Sequence, residues 1–227
     1  MTEPAPQSVT RVFLVRHGQS VANAGGRTSD QDTNPLTNLG RMQSLDFAEH
    51  ILCKPTLFIV SPFLRAQQTS EPLRQRFPNV PIEIWPIQEF TFLEPTSHKD
   101  STEEDRQPYV SDYWQRQDPA FLAGPGAESF TQFFDRAREA IRRLESADPG
   151  GCIILFTHGY FMQAFRLVVR FPKATDRELM ANFLAFHLVN FIENTDSLEF
   201  AIQDGKIRII GQPRLTAYPL QGETSHE

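Results

Sequence analysis

The sequence predicts an α/β fold with a mostly parallel central sheet, and three observations carry that reading. Short apolar runs of buried-strand type recur at 11–15, 57–61, 82–85 and 152–157. Helical patterns lie between them, so strands alternate with helices as in βαβ units. Near the end, Asp204-Gly205 separates "LEFAI" from "KIRII", a two-residue signal for a C-terminal hairpin.

Taken in order, "RVFLV" at 11–15 is the first strand. A polar loop follows, and Thr37 can cap a helix over 38–53 because its hydroxyl can accept from a first-turn N–H. "LFIVS" at 57–61 is the second strand. Pro62 suits the start of the next helix, and Pro72, lacking an N–H, is expected to kink or end it. "IEIW" at 82–85 is the third strand. Between 91 and 126 periodicity fades into polar sequence with scattered Tyr, Trp and Phe, the pattern of an irregular, partly helical lid. From Glu128 the helical signal returns: Phe130, Phe133, Phe134, Ala137, Ile141 and Leu144 form one apolar stripe, which Asp148-Pro-Gly-Gly ends. "CIILFT" at 152–157 is the fourth strand, with helices over 160–171 and 175–184 behind it. The apolar run "FHLVNFIE" then leads to the hairpin.

The chain has 227 residues, enough for one large α/β domain. Residues 10–215 are read as that domain, with 91–126 as a lid or specificity insertion and 1–9 and 216–227 as flexible tails. An apolar content of 40% excludes a disordered chain, and the 19 Phe point to aromatic core packing. The net charge of −6, with no Lys/Arg-rich run, disfavours nucleic acid as a partner. No stretch of 18 apolar residues is present, so no membrane span is expected. Cys53 and Cys152 lack metal-ligand spacing, and Cys152 reads as a small buried hydrophobe. Cysteine use and a start without a signal peptide are read as cytoplasmic.

The chemistry gathers at strand ends. In open α/β sheets, ligands sit beyond the carboxyl ends of the strands. The first strand runs into Arg16, His17 and Gly18, and the second into "SPFLRAQQT" with Arg65. The third is followed by Glu89, and the fourth by His158 and Gly159. Side by side, these strands would bring two His, two Arg and one Glu to one edge. Guanidinium forks match phosphate oxygens. A neutral imidazole can attack phosphorus, and a protonated carboxyl can deliver a proton to the leaving oxygen. A second His can hold the charge that develops on the phosphoryl oxygens. Arg and protonated His already supply positive charge, so neither metal nor cofactor is expected.

"FLVRHGQSVAN", "SPFLRAQQT", a Glu about two dozen residues later, "GAESF" and "FTHG" together resemble the histidine phosphatase superfamily, in its phosphoglycerate-mutase-like branch 1. The resemblance spans roughly 11–165 and implies a three-layer sandwich with helices on both faces of the sheet. It implies that His17 is the phosphorylated nucleophile and that Arg16, Arg65 and His158 bind the phosphoryl group. It places Glu89 as acid/base, with Glu94 as a rival across the apolar "FTFL", and Asn23 as a polar pocket residue. Gln19 stands where the family often has Glu. The activity implied is metal-independent hydrolysis of phosphate monoesters, on small-molecule or peptide substrates.

Two alternatives accompany it. A cofactor-dependent phosphoglycerate mutase would carry an "ERHYG"-like segment where this chain reads "EFTFLEPTS". A non-catalytic phosphate-binding module would not need both a nucleophile and an acid. Phe90 and Phe92 are read either as a wall for a partly apolar leaving group or as core.

Overall fold

The computed structural model describes residues 9–27, 30–147 and 150–211. The expected tails, apart from Val9, and residues 212–215 of the expected domain lie outside the described residues, as do Asp148 and Pro149.

Six strands form one sheet: β1 (Thr10–Arg16), β2 (Leu57–Val60), β3 (Ile82–Ile84), β4 (Cys152–Thr157), β5 (Ser197–Gln203) and β6 (Lys206–Gly211). Their order is β3-β2-β4-β1-β5-β6. The first four are mutually parallel, and β5 and β6 add an antiparallel hairpin at one edge. Every residue of β4 is buried, as a central parallel strand covered on both faces must be.

Side-chain alternation along the strands feeds two cores. Val15, Phe58, Val60, Ile154 and Phe156 pack with Ala48 of α1 (Asn38–His50) and Leu73 of α2 (Leu64–Arg76). Val12, Leu14, Ile59, Ile153 and Leu155 pack on the other face in one cluster with α4 (Phe130–Ala147), α5 (Gly159–Arg170) and α6 (Asp176–Val189). The result is the expected helix–sheet–helix sandwich.

Four local differences from expectation have physical reasons. The helix α2 runs through Pro72 instead of ending there, because Ala66, Thr69, Ser70 and Leu73 bury one stripe and outweigh the lost hydrogen bond. The helix α6 extends to Val189, five residues beyond expectation, with Leu179, Met180, Phe183 and Phe186 buried; the start of "FHLVNFIE" completes it. The lid is more ordered than its composition suggests. It holds a 3-10 turn at Thr96–His98 and α3 (Glu103–Arg116), whose start is closed by a reciprocal Thr102–Asp105 capping box. Tyr113 and Trp114 pin α3 to the core, Trp114 stacking on Phe183 at 5.6 Å. Finally, Cys152 is buried but not free: it is joined to Cys53 by a disulfide across 99 residues. Cysteine use is therefore no ground for a reducing compartment.

Candidate active site

The register of the sheet builds the site. β1 and β4 pair in parallel with Arg16 opposite Thr157, so the next residues, His17 and His158, leave the sheet side by side. Their ring centroids are 5.1 Å apart. The His17 N–H donates to the Thr157 carbonyl at 3.0 Å, extending the ladder one step and fixing the backbone at the turn.

His17 is buried. Its Nδ1 lies 2.7 Å from the Gly18 carbonyl oxygen, which can only accept, so the proton sits on Nδ1. That leaves the Nε2 lone pair free to accept from Arg65 Nε at 3.1 Å. Burial, then the charges of Arg65 and Arg16, push the His17 pKa well below the usual histidine range. The imidazole is neutral, with its lone pair held among guanidinium groups.

Arg65 enters from the first turn of α2 and is buried. Its Nη1 donates to the Gln31 carbonyl at 2.6 Å. Burial lowers its pKa to about 10, which still leaves it charged at neutral pH. Arg16 donates from Nη1 to the Ile192 carbonyl at 2.5 Å, while its Nε is buried without a protein partner. A guanidinium N–H without a protein partner is a donor from which an oxyanion can accept.

His158 is fully buried at the N-cap of α5. Its Nε2 lies 2.8 Å from Ser61 Oγ. Ser61 Oγ also accepts from the Phe63 N–H at 3.3 Å, which leaves it one lone pair and its own proton to face His158 Nε2. With the hydroxyl donating to Nε2, the ring proton sits on Nδ1, a buried atom without a protein partner. Burial, then Arg65, keeps His158 neutral in the unliganded protein. Gly159 begins α5 beside Arg16; a Cβ there would stand 3.5 Å from Arg16 Nε, an ordinary contact. Gly18 is different: a Cβ would meet the Gly40 carbonyl oxygen at 2.5 Å, so this glycine lets the start of α1 approach the site.

The two carboxylates part company. Glu89 accepts from the Phe90 N–H at 3.0 Å and the Tyr160 N–H at 3.3 Å and interacts with Arg65 and Arg16. Burial nonetheless raises its pKa above the usual carboxylate range. Glu94 sits out on the lid, where its oxygens accept from Ser97 Oγ at 2.7 Å and Thr96 Oγ1 at 2.9 Å, which lowers its pKa. Asn23 is exposed and its Oδ1 accepts from the N–H of Ser20, closing a turn, with Asn194 Nδ2 at 3.4 Å. Phe90 is core: it is buried and stacks on Phe133 at 4.3 Å. Phe92 is partly buried and packs on Phe90 and Tyr113.

Three supporting residues carried no assignment from the sequence. Ser61 Oγ pairs with His158 Nε2 at 2.8 Å and so fixes the orientation of the ring. Thr69 Oγ1 accepts from the Gly18 N–H at 3.0 Å and donates to the Arg65 carbonyl at 2.6 Å, tying the His17 turn to α2. Asn194 Nδ2 donates to the His17 carbonyl at 2.8 Å. Ser61 and Thr69 lie within "SPFLRAQQT", so their signal was present; Asn194, in a loop 177 residues from His17, had none. Among the described residues no group of three or more His, Cys, Asp and Glu is placed to hold a metal, and no helix is long and apolar enough to cross a membrane.

Two neutral imidazoles, two guanidinium groups and one carboxyl of raised pKa thus come together beyond the carboxyl ends of β1 and β4. The set offers a nucleophile, an anion cradle and a proton donor. The family model described as histidine phosphatase superfamily (branch 1) matches residues 12–197. Among curated proteins, the chain is 28% identical to a metal-independent phosphoserine phosphatase of Arabidopsis thaliana, over 79% of this chain and 77% of that one. It is 25% identical to a probable phosphoglycerate mutase of Salmonella paratyphi C, over 81% and 86%. Among solved structures, a mycobacterial glucosyl-3-phosphoglycerate phosphatase complexed with VO3 superposes with a TM-score of 0.69 at 23% identity, over 89% of this chain and 98% of that one.

Proposed function

We propose, from the premise that the chain belongs to the histidine phosphatase superfamily, that it hydrolyses phosphate monoesters through a phosphohistidine on His17. The observation that carries the reading is the His17 tautomer: Nδ1–H is held by the Gly18 carbonyl and the Nε2 lone pair lies against Arg65.

The steps follow from the chemistry of the groups. Arg16 and Arg65 hold the phosphoryl oxygens. His17 Nε2 attacks phosphorus, forming the N–P bond as the ester P–O bond breaks. Glu89, protonated because burial raises its pKa, gives its proton to the leaving oxygen and the alcohol departs. His158 Nδ1–H, the ring donor without a protein partner, steadies the charge on the phosphoryl oxygens. Water then attacks phosphorus, Glu89 takes its proton, the N–P bond breaks, and inorganic phosphate leaves with His17 restored. Glu94, engaged by Ser97 and Thr96 out on the lid, has no part in these steps.

The substrate is a small-molecule or peptide phosphomonoester, admitted past the 91–126 lid of a single domain spanning 10–215. A cytoplasmic setting belongs to the same proposal; cell fractionation tests it, recovery of the protein outside the cytoplasmic fraction counting against it. The catalytic reading is tested with p-nitrophenyl phosphate in excess chelator. Turnover that persists supports it. Interconversion of phosphoglycerates dependent on a bisphosphoglycerate would favour the mutase instead, and phosphate binding without turnover of any ester would favour a binding module.

A further inference from the structure

The site has strong provision for one phosphoryl group and none for a second anion. Besides Arg16 and Arg65, the cations near it among the described residues are engaged. Arg136 makes a two-pronged pair with Glu128 at 2.6 and 2.7 Å and donates to the carbonyls of Pro86 and Gln88. Arg27 donates to the Asp100 carbonyl at 2.7 Å, with Asp105 beyond, and Lys99 faces Asp30 at 4.0 Å. Carboxylates crowd the guanidinium groups instead: Glu193 and Asp196 act on Arg16, Asp32 on Arg65, and Glu89 on both. A leaving group with its own carboxylate would meet these charges without a free partner.

The walls point the same way. Phe63, the residue before α2, sets its ring 5.3 Å from His158 and 5.1 Å from the Arg65 guanidinium. Phe191, beyond α6, lies 5.2 Å from the Arg16 guanidinium and is 50% exposed. Leu188 and Val189 beside it are 73% and 51% exposed. Aromatic rings set against the two guanidinium groups offer a ligand an apolar face beside the phosphoryl cradle. Phe90 cannot supply this wall, because it lies in the core.

We infer that the leaving group is uncharged and lays an apolar or aromatic face against Phe63 and Phe191, so that carboxylated phosphoesters are poor substrates. This deepens the phosphatase reading and rests on it. The comparison must hold leaving-group chemistry constant, so the test uses alkyl esters: benzyl phosphate, methyl phosphate, O-phosphoserine and 3-phosphoglycerate. The expected result is kcat/KM for benzyl phosphate at least about ten-fold above that for either carboxylated ester. Phe191→Ala, half-exposed and safe for folding, and Phe63→Ala should each lower the benzyl-to-methyl ratio by about ten-fold. Preference for a carboxylated ester, or an unchanged benzyl-to-methyl ratio in both variants, overturns the inference while leaving the phosphatase reading intact. No turnover of any of the four, with no phosphate trapped on the protein, sinks the phosphatase reading and this inference with it.

Discussion

The ends of β1 and β4 are adjacent, parallel and both finish in His-Gly, yet they hold their histidines in different ways. At the end of β1 a backbone carbonyl takes the Nδ1 proton and turns the Nε2 lone pair toward Arg65. At the end of β4 a serine hydroxyl lies against Nε2, and Nδ1 is buried without a partner. In the proposed mechanism one ring attacks and the other donates. The difference comes from what surrounds each ring, since strand context and burial are nearly the same. It teaches that a repeated motif acquires two roles through the second atom of each ring.

The comparison can be broken most severely at β1. His17→Ala should abolish turnover, by about four orders of magnitude or more, because no other lone pair stands in the cradle. His158→Ala should leave measurable turnover, reduced by about a hundred- to a thousand-fold, as for loss of one charge-stabilising donor. Equal losses in the two variants, measured as single-turnover rates, would erase the asymmetry.

Glu89→Gln comes next, with an expected loss of about a hundred-fold or more. Its pH profile sharpens the point. Burial lowers the His17 pKa, so His17 stays neutral and competent below pH 6.5 and the acid limb is displaced downward. Burial raises the Glu89 pKa, so its proton is retained above the usual carboxylate range and lost as pH rises through the raised value. The alkaline limb should therefore disappear from the chemical step in Glu89→Gln, while Glu94→Gln keeps it.

Ser61→Ala tests the β4 side more gently. It removes the group that orders the His158 tautomer, so kcat should fall about ten-fold with KM little changed and Ser61→Thr restoring much of the loss. The last effect is read as stability: in Gly18→Ala the Cβ would collide with the Gly40 carbonyl. Its expected cost is about 1–3 kcal/mol of stability, read from the urea midpoint.

Much of this site was legible because each main residue stands at or shortly beyond the carboxyl end of a strand, or in the first helical turn, where chain direction alone predicts convergence. Arg16, His17, Arg65, Glu89 and His158 are of that kind. Ser61 and Thr69 were visible as residues, but a serine or threonine declares its role only through the partner it meets. Asn194 reaches His17 through the fold of the hairpin, and Phe191 through the end of α6; neither position carries a local signal. The helix α3 was hidden for a related reason: its two anchors, Tyr113 and Trp114, are adjacent, so its buried face leaves no repeating stripe. The Cys53–Cys152 pairing needs the approach of β4 to the segment after α1, which two isolated cysteines do not announce.

The central claim is that the β1 histidine alone becomes phosphorylated. Rapid acid-free quench of the enzyme with a 32P-labelled phosphomonoester, followed by peptide mapping under alkaline conditions, tests it most directly. The account predicts acid-labile label confined to the peptide carrying His17, formed in the wild type and in Glu89→Gln and absent in His17→Ala. Label on the His158 peptide, or on any residue other than a histidine, would contradict it.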